Sequence, residues 1–212
     1  MYSDFYLALE QRLNAMLPGA DAQKLLSPSL RNSHFELDKE NECTKASAVL
    51  LYIYPFNKNL HIAFIKRQTY NGVHSGQISF PGGKRETSDK SLEFTALRES
   101  NEEIGIDIKD VRIIGKLTPL FIPVSNIIVF PFVGVSTKKP HFRINENEVV
   151  EIIHVKLNDL NNQDNYKRKN IIENGFDIDV PYFDARGNHV WGATAMILSE
   201  FIEMLKEINT IR

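Results

Sequence analysis

Apolar residues recur at helical spacing near the start of the chain. Phe5, Leu9, Leu13, Met16 and Leu17 predict a helix over about residues 4–17, which Pro18-Gly19 stops. A further turn of helix is expected over 23–26, before Pro28, and a polar stretch over 31–45 leads out of this region. The apolar runs then shorten to strand length. Residues 46–54, closed by Pro55, and 60–67 predict two strands with Asn57-Lys58-Asn59 as the turn between them. Residues 77–80 read as a short strand ended by Pro81-Gly82-Gly83, and a helix follows over about 90–103, with Ser88 or Asp89 as its cap and Gly105 as its stop. Strands are expected at 111–117, 127–135 and 149–157, and two short ones flank Asn174-Gly175, a hairpin signal. The last element is a helix over about 193–207, with Ile197, Phe201, Met204, Leu205 and Ile208 on an apolar face. Together these predict an α/β sandwich, a mixed β-sheet with helices packed on it. An N-terminal helical extension occupies residues 1–40 and the main domain residues 41–212.

Composition narrows the class. With 212 residues, 42% of them hydrophobic, the chain can bury a full core without disulfides or a structural metal. A net charge of −2 gives no bulk basic field to draw it to nucleic acid or an anionic membrane, so any phosphate-binding patch must be local. Cys43 is the only cysteine, which excludes an internal disulfide and suits a reducing compartment. The N-terminus lacks the basic start and apolar run of a secretory signal, and no stretch approaches the roughly 20 apolar residues of a membrane helix. A cytoplasmic enzyme is the expectation.

The chemistry concentrates in residues 76–106. Leu92, Thr95, Ala96, Glu99, Glu102 and Glu103 fall on one helical stripe that begins apolar and ends in three carboxylates. Such a stripe starts packed on the sheet and finishes at the edge of a cleft. The carboxylates repel one another, and a hard divalent ion such as Mg²⁺ or Mn²⁺ would remove the repulsion. The plain alternative is a solvated acidic face. The preceding loop favours the first reading: Gly82 and Gly83 let the backbone approach a ligand, and Lys84 and Arg85 follow where phosphates would arrive.

Gly83, Arg98-Glu99, Glu102-Glu103 and Gly105-Ile106 resemble the box of the Nudix superfamily, G-x5-E-x7-R-E-U-x-E-E-x-G-U with U apolar. Ser100 fills the first apolar position. The first half departs further: after five intervening residues Gly83 is followed by Asp89 in place of Glu, and eight residues instead of seven separate it from Arg98, with Glu86 as another candidate for that carboxylate. A second stretch, Phe64-Ile65-Lys66-Arg67 followed by Gly76-Gln77-Ile78-Ser79-Phe80-Pro81-Gly82-Gly83, is similar to the extra signature of the coenzyme A pyrophosphatase-like branch. Gly72 stands where that branch often has a basic residue. Residues 95–99, 122–126 and 191–195 also look like the branch.

The resemblance implies a Nudix-type α/β/α sandwich and a metal-dependent hydrolase that cuts a pyrophosphate bond. Coenzyme A is the favoured substrate, phosphopantetheine and adenosine 3′,5′-bisphosphate are the products, and a homodimer is expected. It implies Glu99, Glu102, Glu103 and the Gly82 carbonyl as ligands of Mg²⁺ or Mn²⁺, with Glu99 alternatively a base or water-orienting group. Arg98 would hold a neighbouring carboxylate in place. Arg67, Lys66, Lys84, Arg85 and Gly83 are the candidate substrate contacts. Glu148, Glu151, Glu86 and Asp89 are candidates for a base or extra ligand, and His74 for a phosphate contact. Trp191 and Tyr182 read as core or rim aromatics. The rival expectations are a Nudix hydrolase of another nucleoside diphosphate-linked substrate (a triphosphate, nucleotide sugar or dinucleotide) and a catalytically silent nucleotide sensor.

Overall fold

A computed structural model describes residues 2–28, 44–69, 75–173 and 176–208. Cys43, Gly72, His74 and the Asn174-Gly175 turn lie outside the described residues. The first strand, β1 (Lys45–Phe56), is the axis of the molecule. Its alternate side chains serve two cores, as the period of two requires. Ala48, Leu50, Tyr52 and Tyr54 face one layer, and Leu51 and Ile53 face the other, all at most 1% exposed. Each such side chain taken from water stabilises the fold by about 1.5–3 kcal/mol.

Around β1 the strands β2 (Asn59–Arg67), β3 (Ile78–Ser79), β4 (Gly82–Lys84), β5 (Arg112–Lys116), β6 (Leu120–Ile122), β7 (Ile127–Val135) and β8 (Val149–Lys156) complete an eight-stranded sheet. Among the described residues only β1 and β7 run parallel, with Lys45 opposite Ile127, so the sheet is mixed. Pro55 does not close β1. It lies beyond Ile53, the last residue paired with β7, where no partner needs its missing N–H, and the strand continues into a two-residue turn at Asn57 and Lys58, both at positive φ. Nor does Pro81-Gly82-Gly83 simply end a strand: Gly82 and Gly83 pair with Val49 and Ala48 as β4.

The helix α3 (Leu92–Ile104) covers one face and α4 (Gly192–Lys206) the other. Ser91, not Ser88 or Asp89, caps α3: its hydroxyl accepts the Phe94 N–H at 3.1 Å, while Asp89 turns inward. Gly105, in the left-handed conformation, stops the helix as expected. At the N-terminus α1 (Ser3–Leu13) and α2 (Gly19–Lys24) are shorter or earlier than the periodicity suggested. Helix α1 ends at Asn14, and Met16, expected on the stripe, is 91% exposed. Phe5, Leu9 and Leu13 share the core of α4, and the buried Glu200 of α4 accepts from Gly19 N–H, Gln23 Nε2 and Thr118 Oγ1. The apolar stripe thus finds its cover within the chain, without a second subunit.

The two strands expected around Asn174-Gly175 are not short. They are β9 (Tyr166–Glu173) and β10 (Phe176–Ala185), and with β11 (Asn188–Trp191) they form a separate antiparallel sheet, order β11-β10-β9. Among the described residues no helix is long and apolar enough to cross a membrane.

Candidate active site

A cleft of about 1250 Å³ opens beside β4 and α3 and runs to the small sheet. Its polar end is built by the β3–β4 turn. Gly82 sits at φ +146°, where a Cβ would stand 2.3 Å from the Ala48 carbonyl, so only glycine fits between the turn and β1. Gly83 has a different reason: a Cβ there would meet the Glu99 carboxylate at 2.3–2.6 Å. The missing side chain is the space in which Glu99 lies.

The three carboxylates of the stripe separate. Glu103 is 1% exposed, accepts the Gly82 N–H at 2.8 Å and pairs with Arg67 at 3.1 Å. Burial pushes its carboxyl up to about 7 despite Arg67 and the Gly82 N–H, and the charges of Glu99 and Glu148 push the same way. Glu99 also lines the cleft, and burial raises its carboxyl against the pull of Arg98. Glu102, one residue round the helix from Glu103, is exposed and turned to Arg98 at 3.0 Å.

Arg98 is the hub beneath this group. Its Nε and Nη2 bind both oxygens of the buried Asp89 at 2.9 and 3.0 Å, and it also reaches Glu99, Glu102 and the Lys84 carbonyl. The paired guanidinium holds the Asp89 carboxyl well below the usual carboxylate range, helped by the Glu86 N–H and Thr95 Oγ1. Glu86 stands 3.9 Å from Arg98 at the surface.

The candidate cations divide. Lys84 lines the cleft. Arg67 lines it too, but its guanidinium is engaged by Glu103, the Gly82 carbonyl at 2.9 Å and Ser79 Oγ at 3.1 Å, so it braces the turn. Lys66 pairs with Glu151 at 3.6 Å, and neither borders the cleft; Arg85 is exposed beyond its rim. Glu148 does border it and accepts from Asn145 Nδ2 at 3.1 Å.

Five carboxylates (Asp89, Glu99, Glu102, Glu103 and Glu148) therefore stand against the two guanidiniums of Arg67 and Arg98. Among the described residues no three His, Cys, Asp or Glu side chains stand ready around one point. The donor chemistry nonetheless fits a hard divalent cation. The set is all oxygen, its charge is in excess, and Gly83 leaves a cradle at Glu99 that a Cβ would fill. The Gly82 carbonyl keeps a second lone pair beside the one Arg67 uses.

The far end of the cleft was not legible in sequence. Ile171, Ile178 and Val180 of the small sheet line it with Trp191, opposite Ile122 and Val124. Alternation across 176–182, with Phe176, Ile178, Val180 and Tyr182 at every second position, was the available signal. Two of the branch-like segments, 122–126 and 191–195, meet here.

The chain matches the NUDIX domain over residues 44–174. It is 33% identical over 140 residues to an uncharacterised Nudix hydrolase, NudL, of Yersinia pestis, covering 66% of this chain and 70% of the relative. NudL of Yersinia pseudotuberculosis gives the same values. Among solved structures, the Nudix hydrolase RenU of M. smegmatis superposes with a TM-score of 0.50 at 14% identity, covering 79% of this chain and 89% of RenU, a likeness of fold. The chain belongs to the Nudix family and is a pyrophosphohydrolase.

Proposed function

We propose that the cleft hydrolyses the pyrophosphate bond of coenzyme A, or a close nucleotide derivative, with Mg²⁺ or Mn²⁺. The products are phosphopantetheine and adenosine 3′,5′-bisphosphate. The observation that carries this reading is the β3–β4 turn, where Gly82 and Gly83 bring backbone, Glu99 and Glu103 together at one end of a long cleft. The choice of coenzyme A is supported by the resemblance of 64–67 and 76–83 to that branch.

Glu99, Glu102, Glu103 and the Gly82 carbonyl would hold the cation, which when bound supplies Lewis-acid neutralisation of the phosphoryl oxygens and a more acidic water. Arg67 and the Gly82 N–H fix the Glu103 carboxylate. Arg98, anchored on Asp89, orients Glu99 and Glu102. Lys84 at the rim receives a phosphate. Glu148, which borders the cleft, would accept the proton as a water oxygen bonds to one phosphorus and the bridging oxygen leaves with the other.

Chromatography with mass spectrometry after incubation with coenzyme A and either metal tests the reading. Phosphopantetheine and adenosine 3′,5′-bisphosphate are expected. If coenzyme A stays intact while a nucleotide sugar or triphosphate is cut, the substrate is wrong. If a broad panel of pyrophosphates stays intact, the silent sensor replaces the enzyme.

A further inference from the structure

The small sheet has one cation that its own chemistry does not use. In an antiparallel pair, opposed residues share a face. Val180, which lines the cleft, stands opposite Lys169, and Trp191, which also lines it, stands opposite Tyr182. Lys169 is therefore on the same face of the sheet as Val180 and Trp191, on the edge strand β9, beside the cleft lining and not itself part of it.

The ammonium lies 5.5 Å from the Tyr182 ring centre, 5.6 Å from that of Trp191 and 3.3 Å from His189 Nδ1. Its neighbours are treated otherwise: Lys167 pairs with Asp184 at 2.7 Å, and Arg168 with Asp179 at 2.7 Å. Among the described residues Lys169 has no carboxylate within ion-pair distance. Ring faces hold an ammonium through their quadrupole without neutralising it, and they leave N–H donors for an incoming anion. Partial burial also pulls its pKa down, as for a cation that lacks a counter-ion.

We propose that Lys169, held on the faces of Tyr182 and Trp191, binds a second phosphate of the substrate, remote from the pyrophosphate being cut, and so selects nucleotides that carry one. The assignment rests on the pyrophosphohydrolase reading of the cleft and deepens the coenzyme A reading, since coenzyme A has a 3′-phosphate. Lys169 stands opposite Val180, at the edge of the apolar stretch that Ile171, Ile178 and Val180 form.

Calorimetric binding of adenosine 3′,5′-bisphosphate and adenosine 5′-monophosphate to the full chain tests it without depending on turnover. The parent should prefer the bisphosphate by about tenfold or more, the scale of one charge-assisted contact. Lys169→Met should abolish most of that preference with the melting temperature unchanged, and Lys169→Arg should keep it. Lys167→Met, which removes the already paired neighbour, should leave it alone. Should the Met variant melt early, Lys169→Gln takes its place. A parent without the preference, a parent that binds neither nucleotide, or a Lys169 variant that keeps the preference overturns the proposal. Intact coenzyme A in the hydrolysis assay beside a retained bisphosphate preference discards coenzyme A as substrate and keeps the phosphate subsite.

Discussion

Replacing Glu103 by Gln should make the metal-free protein more stable at neutral pH and change how its stability depends on pH. Burial lifts this carboxyl from 4.5 to about 7. At about 1.4 kcal/mol per pH unit, that shift corresponds to about 3 kcal/mol. The sign follows from proton uptake. Between about pH 4.5 and 7 the folded chain holds a proton that the unfolded chain has released, so stability present below pH 4.5 is lost as the pH passes 7. Glutamine mimics the protonated form at every pH and still accepts the Gly82 N–H. Relative to the parent, Glu103→Gln should therefore gain about 3 kcal/mol between pH 4.5 and 8, or roughly 6–12 °C in melting temperature for a chain of this size. Thermal melts with a chelator across that range measure it. At pH 8, Mn²⁺ should raise the parent's melting temperature and raise the variant's less, because the cation replaces the proton on an ionised Glu103. Parallel pH profiles of parent and variant would falsify this account of Glu103.

Gly83→Ala should fold with little loss of stability but lose most activity, because its Cβ displaces the Glu99 carboxylate. Gly82→Ala should instead lower the melting point sharply, since its Cβ meets the β1 backbone; steady-state rates and melts separate the two. Arg98→Ala strips the buried Asp89 of its partner and should cost about 3–5 kcal/mol in urea unfolding at neutral pH. That gap should narrow in acid, because the depressed Asp89 pKa contributes stability above the ordinary carboxylate value and loses it as pH falls. Lys84→Ala should raise KM with kcat nearly unchanged if its phosphate contact is equal in ground and transition states.

Local periodicity made the long elements legible. Residues 127–135 were read with the bounds of β7, and the α3 stripe followed from the 3.6-residue repeat. The strands missed or misread as terminators, β4, β6 and β11, are three or four residues long and become strands only through their partners β1, β7 and β10. The early end of α1 has a local cause the apolar pattern hides: Asn14 Nδ2 joins its own N–H on the Glu10 carbonyl, and the Ala15 N–H turns to the Arg12 carbonyl three residues back. The site divides the same way. Sequence placed Glu99, Glu102 and Glu103 on one helix, but their different environments depend on Arg67 reaching in from β2 and on Arg98 of the same helix being held by Asp89. Arg67 reads from sequence as a phosphate contact because nothing local says that its fork meets Glu103.

The irregular first half of the box is where sequence and structure explain each other. The loop carries one residue more than the usual spacing before Arg98 and offers both Glu86 and Asp89 for the acidic position. The structure separates the two by burial. Glu86 is exposed, whereas Asp89 is buried and binds Arg98 through both oxygens. The Glu86 N–H and Thr95 Oγ1 also donate to its carboxylate, at 2.9 Å each. Asp89 lies outside the cleft lining and holds Arg98, which in turn binds Glu99 and Glu102. In the longer loop the acid that meets Arg98 is thus a buried brace, and the helix carboxylates keep the spacing of the box.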